Sequence, residues 1–155
     1  MQAFWRILID HIELFFFAAL PVVELRGAIP LGLALGFSLQ TSFLISYLGS
    51  TLPCVLILSL FSLIMHWMAQ RSPFDRLANG INSRLVKNHS GIERYGYIGL
   101  AVFVAIPLPG TGVWTGSGIA AMLKLSRWKA FIAIALGNLV AGLIVTALSY
   151  PLWAP

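Results

Sequence analysis

Two residues carry charge where the chain is otherwise greasy: Glu24 and Arg26, in the stretch ELRGAIP at residues 24–30. The chain is uncharged from Leu14 to Val23 and again from Gly27 to Gln70. A carboxylate can hold a cation or carry a proton, and a guanidinium grips phosphate or carboxylate through two parallel hydrogen bonds. In a straight helix, residues two apart point to different sides and do not pair. A turn built on Gly27 and Pro30 lets Glu24 and Arg26 converge, or lets each meet a group from elsewhere.

A second stretch, IPLPGTGVWTG at residues 106–116, has complementary chemistry without charge. Pro107 and Pro109 break any helix there, since proline lacks the N–H and clashes with the preceding turn. Gly110 and Gly112 let backbone approach a ligand closely. Thr111 and Thr115 offer hydroxyls, and Thr111 is placed to cap a helix restarting after the turn. That helix start, with a second one opened by Pro30, presents free N–H groups and positive dipole. Together with Arg26 these form a candidate anion site, for which phosphate is a suitable ligand. Glu24 then becomes a candidate proton-coupling carboxylate. The substrate-binding set is therefore Glu24, Arg26, Gly27, Pro30, Pro107, Pro109, Gly110, Thr111, Gly112 and Thr115. Trp114, away from either membrane interface, lines the path or packs.

Catalysis finds no purchase elsewhere. His11, His66 and His89 are far apart, and no Cys/His cluster, phosphate-binding loop or nucleophile motif occurs. No cofactor and no metal is expected. The single Cys54 in LPCVLIL cannot form an intrachain disulfide and reads as a small buried hydrophobe.

The elements that position these groups lie in a bilayer. Of 155 residues, 59% are hydrophobic and 10% charged, against about 25% charged in soluble domains. This is an all-α integral membrane chain, read as a single domain over residues 1–155. Its formal charge of +5 is explained by membrane topology, not by nucleic acid. Asp10 and Glu13 ahead of the first apolar run argue against a cleaved signal peptide.

Four apolar stretches occur: Leu14–Phe37, Phe43–Trp67, Tyr97–Leu123 and Phe131–Trp153. The second and fourth are each long enough to cross as one helix. The first and third are broken by Pro and Gly, and backbone freed at that depth must be buried in protein or line a wet cavity. If all four cross, Lys and Arg outside them divide six to three. If the first and third are re-entrant hairpins, the division is eight to one, with Arg6 alone on the far side. The larger asymmetry favours hairpins, cytoplasmic basic linkers and both termini outside. Trp67, Tyr95, Tyr97 and Trp128 then share one interface, and Trp5, Tyr150 and Trp153 the other.

Two segments read as amphipathic helices on the membrane surface. One sets Gln2, Arg6, Asp10 and Glu13 against Phe4, Trp5, Leu8 and Ile12. The other carries a stripe of Phe74, Leu77, Ile81 and Leu85. The chain also repeats. Pro21 aligns with Pro107, ELRG with PGTG, and Gly32 with Gly118; a shift of two then places Gly49 on Gly137. Repeat one is 1–70 and repeat two 71–155, each an amphipathic helix, a re-entrant hairpin and a transmembrane helix. Each half crosses an odd number of times, so the second is inverted relative to the first. Ser42, Ser46 and Ser50, and Ala133, Gly137 and Ala141, form small-residue faces for close helix packing.

ELRGAIP and PLPGTGVWTG together resemble the small multidrug export protein family, a compact relative of the DedA, or SNARE-associated/VTT-domain, membrane proteins. The resemblance covers essentially the whole chain. It implies two facing re-entrant hairpins in inverted repeat and, in the wider superfamily, transport or scrambling of lipids, including polyprenyl-phosphate carriers. Glu24 matches the acid typical of the first DedA hairpin. The arginines typical of the second are absent here, and Arg26 lies in the first.

The expectation is thus an inverted-repeat transporter in the bacterial cytoplasmic membrane, moving an anionic substrate such as a lipid phosphate through a midplane site between two hairpins. The alternatives are a proton-coupled exporter of organic cations and a non-transporting membrane factor whose Glu24–Arg26 pair only holds the fold. With two crossing helices per chain to seal a polar midplane, a homodimer or larger homo-oligomer is expected, in contact with membrane lipids and with a lipid or small-molecule substrate.

Overall fold

The computed structural model describes residues 2–69 and 90–153, and every regular element among them is an α-helix. They are α1 (Gln2–Ala19), α2 (Glu24–Ala34), α3 (Leu39–Ala69), α4 (Ser90–Ala105), α5 (Val113–Met122) and α6 (Arg127–Trp153). The amphipathic stripe expected at Phe74, Leu77, Ile81 and Leu85 lies outside the described residues.

No Pro or Gly interrupts the sequence between Gln2 and Ala19, and α1 runs unbroken across it. The N-terminal amphipathic segment and the first arm of the hairpin, expected as two elements, are one helix. Leu8 and Ile12 stay exposed, whereas Leu14 and Ala18 are buried. In the second half, Gly96 breaks α4 with a left-handed φ of 58°.

α1 and α2 double back on each other. The ring of His11 lies 4.6 Å from that of Phe37, Gly32 sits against Leu14, and Ala18 shares a core cluster with Ala28. The turn between them falls at residues 20–23, ahead of the ELRG motif where it was expected. Pro21 accounts for the difference by driving Leu20 away from helical geometry. ELRG instead winds the first turn of α2, the Gly27 N–H bonding the Val23 carbonyl at 2.9 Å. Pro30 does not open this arm: it lies inside α2, where its missing N–H leaves the Arg26 carbonyl without a helical partner.

α4 and α5 form the corresponding pair. Leu100 and Val104 pack where Gly116 has no side chain, and the Ser126 N–H donates to the Tyr97 hydroxyl at 3.1 Å. The bend between them, residues 106–112, is longer than the first and contains Pro107, Pro109 and Gly110, the last at φ 87°.

α3 and α6 are the two helices long and apolar enough to cross a membrane, through Leu39–Leu60 and Arg127–Pro151. At about 1.5 Å per residue each exceeds a hydrocarbon core of about 30 Å. Their outward faces expose Leu44, Leu48 and Leu52 on one and Leu136, Leu143 and Leu148 on the other, as lipid contact requires. The two helices run in opposite senses: Phe43 and Tyr47, early in α3, share a core cluster with Ala141 and Val145, and Cys54 and Leu58, later in α3, share one with Ala130, Ala133 and Ile134. Phe43 meets α6 at Gly142, the Tyr47 hydroxyl donates to the Ala135 carbonyl at 3.2 Å, and the Asn138 amide donates to Ser50 Oγ at 2.8 Å and Thr51 Oγ1 at 3.0 Å. A polar cluster between two helices this apolar is internally bonded.

The small-residue stripes lie where helices meet. Ser42, Ser46 and Ser50 are buried, as are Ala133 and Ala141. Gly49 rests on the Phe15 carbonyl of α1, and Gly137 on the Ala101 carbonyl of α4, so the aligned glycines perform the same task in each half. We expect Gly137→Ala to lower thermal stability in detergent by about 1–3 kcal/mol, the usual cost of overpacking. Ala101→Gly should not relieve it, because the added Cβ collides with backbone and not with the Ala101 methyl.

Candidate functional site: the junction of the two bends

The bend after α1 and the bend after α4 meet, and Glu24 and Arg26 are the groups that join them. Glu24 opens α2 with an unusual left-handed backbone, φ 48°. That geometry brings its carboxylate beside its near neighbour: Arg26 Nη1 donates to Glu24 Oε2 at 3.2 Å. A regular helical φ at residue 24 would send the two side chains apart. The side chains are mostly shielded, 17% exposed for Arg26 and 10% for Glu24.

Arg26 spends most of its hydrogen-bonding capacity across the junction. Nη1 donates to the Leu108 carbonyl at 2.8 Å. Nη2 is shared among the carbonyls of Val104 at 3.3 Å and Ile106 at 3.1 Å, and Thr111 Oγ1 at 3.2 Å. These carbonyls end α4 and enter the bend, where an intrahelical donor is missing. The guanidinium therefore caps the C-terminal end of a helix in the other half of the chain, where a cation is also favoured by the dipole. Its Nε is buried with no partner.

Glu24 makes the converse contact. Its Oε1 accepts from the Trp114 backbone N–H at 3.4 Å, at the start of α5. The N-cap of that helix, Gly112, supplies no side-chain cap of its own. The carboxylate passes so close to Gly112 that any Cβ there would occupy the position of its oxygens. The helix start expected to receive a substrate anion already faces an internal one. Thr111 does not cap α5 either. Its hydroxyl turns back onto the Ile106 and Leu108 carbonyls at 2.6 and 2.9 Å and accepts from Arg26, stiffening the bend.

Trp114 completes the exchange, its indole Nε1–H donating to the Ala19 carbonyl at the end of α1 at 3.1 Å. Arg26 near the start of α2 caps the end of α4, and Trp114 near the start of α5 caps the end of α1. The two positions differ by 88 residues, the offset that also relates Gly49 to Gly137. Aligning ELRG with PGTG hid this pairing, because the two-residue shift already applies there. A Trp opposite an Arg at that offset was the available signal.

A cleft of about 560 Å³ opens beside this junction. Seven of the ten residues named from sequence line it: Glu24, Arg26, Gly27, Pro107, Pro109, Gly110 and Thr115. Thr111 and Gly112 lie within the junction, and Pro30 stands apart in the second turn of α2. Val22, 92% exposed, stands at the cleft wall together with Pro21. The cavity is thus walled by apolar side chains around one acid and one base already engaged with each other. No group of His, Cys, Asp or Glu suited to a metal ion occurs among the described residues.

A family model described as "Putative small multi-drug export protein" matches residues 24–144, from Glu24 at the junction to near the end of α6. The chain belongs to that family. The match begins at the acid of the first bend and takes in the whole of the second. Among the curated proteins and the solved structures, none matches the chain. Membership in an export family, with two apolar crossing helices, makes this a membrane transport protein in kind.

Proposed function

We propose that the chain exports small organic cations through the cleft at the junction of the two bends, with Glu24 as the residue the cation and Arg26 share. The observation that carries this reading is the state of the two charges. Every carbonyl at the end of α4 that faces Arg26 is already bonded to it, so the guanidinium has little left for a phosphate. The Glu24 carboxylate lies at the cleft wall among Pro21, Val22 and Pro107, apolar surface suited to a lipophilic cation. A cation or a proton arriving at Glu24 releases Nη1 from the carboxylate, while Arg26 stays tethered through Leu108, Ile106 and Val104. Binding and bend geometry are thereby linked.

The lipid-phosphate reading from the sequence relied on free donors at Arg26 and on the start of α5. Glu24 now occupies the second and α4 the first, so this arrangement lends it no support. Kinship with the DedA proteins rests on the sequence resemblance alone. The re-entrant, inverted-repeat architecture remains part of the proposal. Its supports are two antiparallel helix pairs, the opposite senses of α3 and α6, and contacts between positions 88 apart: Glu24 with Gly112, Tyr47 with Ala135 and Ser50 with Asn138. An element meeting its own equivalent marks an approximate two-fold axis, and an axis perpendicular to crossing helices lies in the membrane plane. The bacterial cytoplasmic membrane, termini outside and a homo-oligomer complete the picture. They rest on charge asymmetry and on the small amount of protein around the cleft.

Proteoliposome efflux of ethidium tests it. Wild-type protein should move the dye, and Glu24→Gln should slow it about ten-fold or more, the equivalent of one lost charge-assisted contact. Equal rates in the two proteins, or transport of a short-chain prenyl phosphate with no transport of ethidium, would refute the cation reading.

A further inference from the structure

A second cavity, of about 420 Å³, lies between α4 and α6 and shares no residue with the cleft at the junction. From this groove we infer that the chain carries a binding site for one anionic phospholipid. Its walls are Ile98, Ala101 and Val102 on α4 and Ile132 and Leu136 on α6, with Tyr97 and Lys129 at one end. Ile98, Val102, Ile132 and Leu136 are all exposed, so the groove opens sideways onto the lipid and not inward. Along α6 from Lys129 to Leu136 it runs roughly 10 Å, enough for the upper part of an acyl chain lying along the helix.

The polar end selects the headgroup. Lys129 is exposed at the mouth of the groove, in the first turn of α6, where unpaired backbone N–H groups also favour an anion. Lys124 and Arg127 stand nearby in sequence and are exposed. With Lys129 they make this end of the groove positive. Trp128, 69% exposed and stacked on Phe131 at 6.0 Å, and Tyr97 have the amphipathic rings that sit at headgroup level. An acyl chain fits the apolar walls, and a phosphate fits Lys129 with the first-turn amides. The lipid lies against α4, whose end Arg26 caps, so its occupancy bears on the arm that forms the second bend.

Native mass spectrometry of purified protein in non-ionic detergent, titrated with phosphatidylglycerol or phosphatidylcholine, tests the site. One phosphatidylglycerol should be retained per chain, preferred over phosphatidylcholine about five-fold, the effect of a single lysine at an anionic surface. Lys129→Gln should abolish the preference, and Val102→Trp should fill the groove and reduce retention of both lipids. Equal retention of the two lipids by wild type, unchanged preference in Lys129→Gln, or a second copy of the chain displacing the lipid would each overturn the assignment. None of these readouts depends on what the junction transports, so the site stands or falls apart from the export reading.

Discussion

Gly112→Ala is expected to disrupt the junction more than any other single methyl added to this chain. The backbone at Gly112 is extended, φ −83° and ψ −166°, a conformation open to any residue. The cost comes entirely from collision, because the new Cβ would coincide with the Glu24 carboxylate. That carboxylate cannot easily yield, being held by Arg26 on one side and the Trp114 N–H on the other. We expect Gly112→Ala to lower stability in detergent by about 1–3 kcal/mol and to abolish export. In a Glu24→Ala background the three atoms nearest that methyl are gone, and its cost should fall. The resulting coupling, about 1–3 kcal/mol between two residues far apart in sequence, is what a double-mutant cycle measures. An additive result would show that Glu24 does not lie against Gly112. Gly110→Ala is the useful contrast: nothing obstructs its Cβ, and its cost derives from the left-handed φ of 87° alone.

The convergence of the two bends was legible in the sequence because charge is expensive in hydrocarbon. Glu24 and Arg26 had to meet something, and the proline-rich, glycine-rich stretch of the other half was the available partner. The alignment of Gly49 with Gly137 was legible for a related reason, since only glycine permits helix-to-backbone contact at such range. The identity of Arg26's partners was not legible. Carbonyls of Val104, Ile106 and Leu108 are present in every sequence, and only the fold reveals which ones a guanidinium from the other half can reach. The position of the first turn was misjudged because Gly27 and Pro30 look like turn residues. Pro21 acts earlier in the chain and ends α1, after which a helix tolerates both. Gly112 was read as making room for a ligand's approach, and the approaching group is the protein's own carboxylate. The same physics applied, with a different partner.

Arg26→Ala is expected to cost more still, about 3–5 kcal/mol, because it leaves Glu24 charged and unpaired in a shielded place. It also strips the end of α4 of its donor, so the loss is not that of an ion pair alone. Arg26→Lys keeps the charge but offers a single nitrogen, which cannot bridge Glu24 and three carbonyls spread over Val104 to Leu108. It should recover only part of the loss. Glu24→Gln combined with Arg26→Met removes the stranded charge while leaving the α4 carbonyls uncapped. Its stability should therefore fall between wild type and Arg26→Ala, and thermal unfolding in detergent can rank all four proteins. Trp114→Phe, which forfeits one neutral hydrogen bond to Ala19, should cost about 1 kcal/mol. That ranking separates two roles for the charged pair. If the neutral double variant is nearly as stable as wild type yet exports nothing, the pair serves transport. If it is nearly as stable and exports normally, the pair is a strut, and the cleft works without charge. Were Arg26→Ala itself as stable as wild type, the capping of α4 across the junction would not be holding the bends together at all.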